Sequence, residues 1–156
     1  MLNQRIALED LDGVILDFGG VLYDIDYDAP PKAFARLGDA EFASLYHQAS
    51  QSEWFDQLEI GTLSRDAFYD HLKARCQGGT TVEEVHTAWC CILTGMPPAR
   101  ATLVEALGQK TRLFLLSNTN AIHAQVFEAD LRATLPDAAA FWGAFEAAHY
   151  SHDLGM

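Results

Sequence analysis

Cysteine is scarce in this chain. There are three in 156 residues, Cys76, Cys90 and Cys91, with no Cys-x-x-Cys pair. So small and odd a set excludes a disulfide framework and argues against a structural zinc site. The adjacent Cys90 and Cys91 lie in "HTAWCCILTG", which reads as helix interior, so buried free thiols in a reducing cytoplasm are expected. Basic residues are also few. Ten Lys and Arg face 22 Asp and Glu, for a formal charge of −12. That balance argues against nucleic acid or an anionic membrane as partner, because both need Lys and Arg to neutralise phosphate. No apolar stretch approaches the roughly 20 residues that span a bilayer. The start "MLNQRIALED" carries no basic region followed by an apolar run, so no signal peptide is expected.

What the chain does have is apolar residues, 49% of the total, enough for a core and too many for disorder. "GVILDFGG" is a short apolar run closed by glycines, which favours a buried strand over a helix. "VLYDIDYDAPP" reads as a turn segment broken by acids and two prolines. From about residue 32 to 93 the spacing is helical and no strand is evident. Asp39 is placed to cap a helix carrying Phe42, Leu45 and Tyr46. Ser64 opens a helix with Phe68, Leu72 and Cys76 on one stripe, and Thr80 or Thr81 with Glu84 forms a capping box. Trp54, Phe55 and Phe68 are expected in the core of this block. "ATLVEALGQK" is a further helix. "TRLFLLSNTN" is a second strand with an abrupt polar end, "AIHAQVFEADLRATLP" a helix capped by Asn120, and 147–151 a third strand. The order predicts an α/β fold: a Rossmann-like three-layer core with a parallel sheet and an inserted helical block.

Two aspartates compete as a reactive strand end. Asp10 is followed only by more strand, whereas Asp17 follows Val14, Ile15 and Leu16 and precedes Gly19 and Gly20, which let the backbone turn sharply against a ligand. Ligands of parallel sheets bind outside the C-terminal strand tips, so Asp17 is the candidate. If the second strand lies next to the first, Ser117 and Asn118 stand beside Asp17 and offer a hydroxyl, an amide and backbone N–H groups to an anion.

"VILDFGGVLYDID", followed far downstream by "LFLLSNTNAIH", resembles the first two motifs of the haloacid dehalogenase-like hydrolase superfamily. "FDQLEIGTLSRDAFYDHL", "MPPARATLVEAL" and "YSHDLGM" match intermediate pieces, closest to the branch of cap-bearing small sugar-phosphate phosphatases. The resemblance implies a hydrolase core over 1–27 and 95–156 with a helical cap over 28–94. It implies Asp17 as a nucleophile that forms an aspartyl phosphate. Mg2+ would be held by Asp17 and the backbone carbonyl of Gly19, and the phosphate by Ser117, Asn118 and Gly20. The substrate would be a small phosphorylated metabolite.

Two departures stand out. Gly19 occupies the place where many of these phosphatases carry a general acid, which leaves Asp24 and Asp26 as nearby candidates. His123, just after the second motif, is a candidate substrate contact. The third-motif lysine and the acidic metal ligands of the family would follow Met156. The chain is therefore expected to be truncated and inactive as it stands, and to self-associate through an uncovered edge of the first strand. A 2-haloacid dehalogenase and a non-catalytic binding module are the alternatives.

Overall fold

The computed structural model describes residues 7–47 and 50–155. Three strands form the central sheet. β1 (Val14–Leu16), β6 (Leu113–Ser117) and β7 (Ala147–Tyr150) run parallel in the order β1-β6-β7. Val14 pairs with Leu113 and Leu16 with Leu115, so the two strand ends bearing Asp17 and Ser117 finish side by side. The expected neighbouring of the first two strands and the third strand near 147 are both present. β1 itself is shorter than the apolar run, because the chain leaves the ladder at Asp17 to begin a tight loop.

Helices α6 (Pro98–Gly108), α7 (Ala121–Thr134) and α8 (Ala138–Gly143) cover one face of the sheet, and α9 (Ser151–Leu154) follows β7. The strand alternation explains the one-sided core. Leu113 and Leu115 point inward and are fully buried, against Val104, Phe127, Leu131 and Phe141. Ile15 and Leu116 point to the other face and remain exposed. Burying each large apolar side chain contributes about 1.5–3 kcal/mol.

Between β1 and α6 the chain makes a second cluster from α1 (Ala29–Arg36), α2 (Phe42–Leu45), α3 (Glu53–Glu59), α4 (Arg65–Lys73) and α5 (Val82–Cys90). Its centre is aromatic. Phe34 stacks on Phe42 at 4.1 Å between ring centroids, and Phe55 and Phe68 flank Trp89 at 5.5 and 5.0 Å. Phe55 and Phe68 are in the core as expected, with Trp54 packed partly buried against it. Ser64 caps α4 by accepting from the Ala67 N–H, and Thr81 with Glu84 makes the full capping box on α5.

Four features differ from the sequence reading. The α2 N-cap is Glu41, and Asp39 lies two residues before it, its carboxylate accepting from the Glu41 N–H at 3.2 Å. Asp39 is buried and held by Arg75 at 2.7 and 3.0 Å, because a buried carboxylate needs a cation. Short strands occur where none was evident: β3 (Tyr46–His47) with β4 (Ser50–Gln51), and β5 (Leu93–Gly95) with β2 (Asp24–Ile25). The β2–β5 pair ties the two ends of the insertion together. α8 is too short to show helical periodicity. Of the two adjacent thiols, Cys90 is buried but Cys91 only half-buried. Among the described residues, no helix is long and apolar enough to cross a membrane.

Candidate active site

Phe18 anchors the loop after β1. Its ring is buried against Phe127 and Tyr23 at 4.3 and 5.5 Å, and its carbonyl accepts from the N–H groups of Leu22 and Tyr23 at 2.8 and 2.9 Å. The chain can curl this tightly because Gly20 takes φ +76°, a conformation that costs other residues roughly 1–2 kcal/mol. The curl leaves Asp17 exposed at the strand tip, with one carboxylate oxygen accepting from the Phe18 N–H at 2.7 Å.

The second tip is built by α7. Asn120 accepts from the N–H groups of Ile122 and His123 at 3.1 and 3.0 Å, as its capping position predicts. Ser151, at the end of β7, fixes the loop between Ser117 and Asn120. It accepts from the Thr119 N–H at 3.0 Å and donates to the Thr119 carbonyl at 2.7 Å. Ser117 is buried and Asn118 exposed.

These two tips and the aromatic cluster enclose a cleft of about 220 Å3. Asp17, Gly19, Ser117, Asn118 and His123 line it from the sheet side; Tyr27, Tyr46, Glu59 and Ile92 line it from the insertion. Gly20 does not line it, and its N–H donates to the Tyr23 carbonyl at 2.8 Å, within the loop. Asp24 and Asp26 do not line it either. Asp24 pairs with Arg100 at 2.6 Å and Asp26 accepts from the Asp28 N–H, a local turn contact. Sequence reading gave no part in the site to Tyr27, Glu59 or Ser151, and read Tyr46 only as part of one face of a helix. The "EIG" inside the matched insertion segment is the one signal that could have pointed to Glu59.

Among the described residues a hydrogen bond crosses the cleft directly. The Asn118 side-chain amide donates to a Glu59 carboxylate oxygen at 3.0 Å. Two carboxylates face the space, and no Lys or Arg is among its described lining residues. Burial, and then the charges of Glu59 and Asp17, push the Tyr27 phenol above its usual range. Burial with Tyr27 and Glu59 does the same to Tyr46, so both phenols stay neutral O–H groups. His123 is stacked on Trp89 at 4.6 Å, and burial brings its imidazole down to about 4. It is neutral at pH 7 and contributes no cation.

A carboxylate such as that of Asp17 and a backbone carbonyl such as that of Gly19, both residues of the cleft lining, are the oxygen-donor type that would suit a hard divalent cation such as magnesium. Among the described residues no group of three His, Cys, Asp or Glu side chains stands ready to hold a metal.

No family model matches the chain. A D-ribitol-5-phosphate phosphatase from Bacteroides thetaiotaomicron is 34% identical over 110 residues, 70% of this chain and 53% of that protein. The chain thus spans about half the length of this curated relative. A crystal structure of a HAD-family enzyme from the same organism, in complex with magnesium and inorganic phosphate, aligns with a TM-score of 0.83. It is 22% identical, over 94% of this chain and 71% of that one. A structure described as a predicted HAD-like family hydrolase from Porphyromonas gingivalis aligns with a TM-score of 0.76 at 24% identity, over 96% and 69% of the two chains. Strand order and the paired tips agree with these likenesses, which show that the chain shares the α/β fold of these HAD-family structures.

Proposed function

We propose that the protein is a magnesium-dependent phosphomonoester hydrolase acting on a small phosphorylated sugar or polyol, with Asp17 as its nucleophile. The observation that supports this most is the meeting of two parallel strand tips, which puts Asp17 and Ser117 in the walls of one cleft. In this reading an Asp17 oxygen attacks phosphorus, the ester oxygen leaves, and water then hydrolyses the aspartyl phosphate and restores the carboxylate. The Ser117 hydroxyl and the Asn118 N–H hold phosphoryl oxygens as charge shifts between them. The segment 28–94 serves as a cap over a core formed by 1–27 and 95–156.

The charge of the cleft gives the metal its purpose. A phosphate dianion entering beside the Asp17 carboxylate meets repulsion of about 4 kcal/mol per charge pair at 4 Å for an effective dielectric of 20. Magnesium at Asp17 and the Gly19 carbonyl offsets this repulsion when bound. The solved relative with magnesium and phosphate, and the relative named a D-ribitol-5-phosphate phosphatase, support both the cofactor and the substrate class.

The test is hydrolysis of p-nitrophenyl phosphate with magnesium, with a chelator, and by Asp17→Asn. Turnover should need the metal and fall at least about 10^3-fold in the variant. Halide release from a 2-haloacid in the presence of chelator, or turnover untouched by the substitution, would overturn the assignment.

A further inference from the structure

The geometry points to Tyr46 as the residue that recognises the body of the substrate: its phenolic hydroxyl forms a hydrogen bond with a hydroxyl of a small polyol or sugar phosphate, and so selects that ester over an alkyl phosphate of the same length. This rests on the phosphatase reading and adds which group on the insertion side makes the choice.

Three observations carry it. The first is the make-up of the wall. On the insertion side the described lining is apolar at Ile25, Ile92 and Leu93, and its polar side chains are Tyr27, Tyr46 and Glu59. Glu59 is already engaged by the Asn118 amide. In a largely apolar wall, a few placed polar groups fix the orientation of a small ligand and supply its specificity.

The second is the state of the phenols. Tyr23, also in the cleft lining, donates to Asp130 at 2.7 Å. Among the described residues, neither the Tyr27 nor the Tyr46 hydroxyl has a hydrogen-bond partner. The enclosed side-chain atoms left unpaired there are Trp89 Nε1 and His123 Nε2, so neither phenol oxygen is enclosed. Yet Tyr46 as a whole is only 7% exposed. A side chain this buried, with an oxygen both unpaired and open, presents that oxygen to the cleft it lines.

The third is support. The Tyr46 ring packs at 4.9 Å from both Phe55 and Trp89 and at 6.0 Å from Phe42, measured between centroids. This packing fixes where the hydroxyl stands, so little freedom is lost when a ligand binds it. Tyr27 is half-buried and meets the Tyr46 ring at 6.3 Å. A phenol both donates and accepts, so it pairs with a substrate hydroxyl in either sense. An alkyl chain in the same place would cover the hydroxyl and leave it unpaired, the mismatch by which a hydroxyl-binding site rejects a ligand that lacks one.

The experiment compares ribitol 5-phosphate with n-pentyl phosphate, which has the same carbon chain and no free hydroxyl. The kcat/KM ratio of the two is measured for wild type, Tyr46→Phe and Tyr27→Phe, each checked for native circular dichroism. Binding of both esters to Asp17→Asn, with and without Tyr46→Phe, is measured by calorimetry. Wild type should prefer the polyol ester. Tyr46→Phe keeps the ring and its packing, and should cut the preference at least about fivefold, chiefly through a higher KM for ribitol 5-phosphate. An unchanged ratio in Tyr46→Phe, a loss confined to Tyr27→Phe, or a wild type without the preference overturns the inference, while Asp17-dependent hydrolysis of p-nitrophenyl phosphate leaves the phosphatase reading standing. Selective binding of the polyol ester that Tyr46→Phe abolishes, without any hydrolysis, overturns the phosphatase reading and retains the role of Tyr46. Absence of binding by either ester overturns the inference.

Discussion

Gly61 comes so near His152 that a Cβ built on it would lie 2.5 Å from the His152 carbonyl oxygen. Its φ is +73°, so a side chain there is strained as well as obstructed. The contact ties the end of α3 to α9. The residue before His152, Ser151, grips Thr119, and next to Thr119 is Asn118, which returns the link to Glu59. Two hydrophobic clusters are thus aligned through one chain of backbone and side-chain contacts at the mouth of the cleft.

Gly61→Ala breaks that alignment. Left-handed strain alone costs about 1–2 kcal/mol, and relieving the clash requires α3 to move off α9. We expect a fall in melting temperature of roughly 2–8 °C by calorimetry, given about 2–4 °C per kcal/mol in a domain of this size. The Glu59–Asn118 bond should open with it, and small misplacements of binding groups cost up to about 10^2-fold, so kcat/KM for a polyol phosphate should drop about tenfold or more. An unaltered melting temperature would show that the segments are not held as described.

His123 makes stability depend on pH. Its imidazole lies flat on Trp89, is bonded to the Asn120 side chain, and is driven by burial from its ordinary 6.5 down to about 4. The folded state therefore resists protonation that the unfolded chain accepts. Its contribution is fully present above pH 6.5 and is lost progressively as pH falls from there toward 4. At the acid limit the loss is on the order of 3 kcal/mol. Urea unfolding at pH 7.5, 6 and 5 should show falling stability, and His123→Phe, which keeps the stack, should flatten the profile over that interval. Parallel profiles for the two proteins would remove His123 as the cause.

The legible parts of the sequence were those in which local chemistry dictates the answer. An apolar run ending in Asp-Phe-Gly-Gly can be little else than a strand meeting a tight loop, and Asn120, Ser64 and the Thr81–Glu84 pair each cap the helix that follows. Asp39 misled because the same residue type serves as a cap or as a buried ion-pair partner, and only the fold brings up Arg75 from 36 positions away. Glu59 and Tyr27 were silent for a similar reason. Neither has a local pattern that separates it from a solvated acid or a core phenol. Their part in the cleft exists only once α3 has docked against the loop after β6. Gly20 had the opposite fate: its glycine was rightly tied to a sharp turn, but its N–H is spent inside that turn, on Tyr23.

The remaining prediction concerns the sheet edge. β1 pairs with β6 on one side, and among the described strands none pairs with its other side. Ile15 is 67% exposed and Leu116 49%, both on the face that the helices leave open. Parallel strands are ordinarily covered on both faces, and a free apolar edge is a template for another chain. The 156-residue chain should therefore associate with itself, with a sedimentation coefficient that rises with concentration. Ile15→Lys places a charge on the open face without touching the buried Leu113 and Leu115, so it should shift the chain toward monomer while leaving the circular dichroism spectrum intact. A wild-type chain that stays monomeric across a hundredfold range of about 1–100 μM would mean that the open edge recruits no second copy.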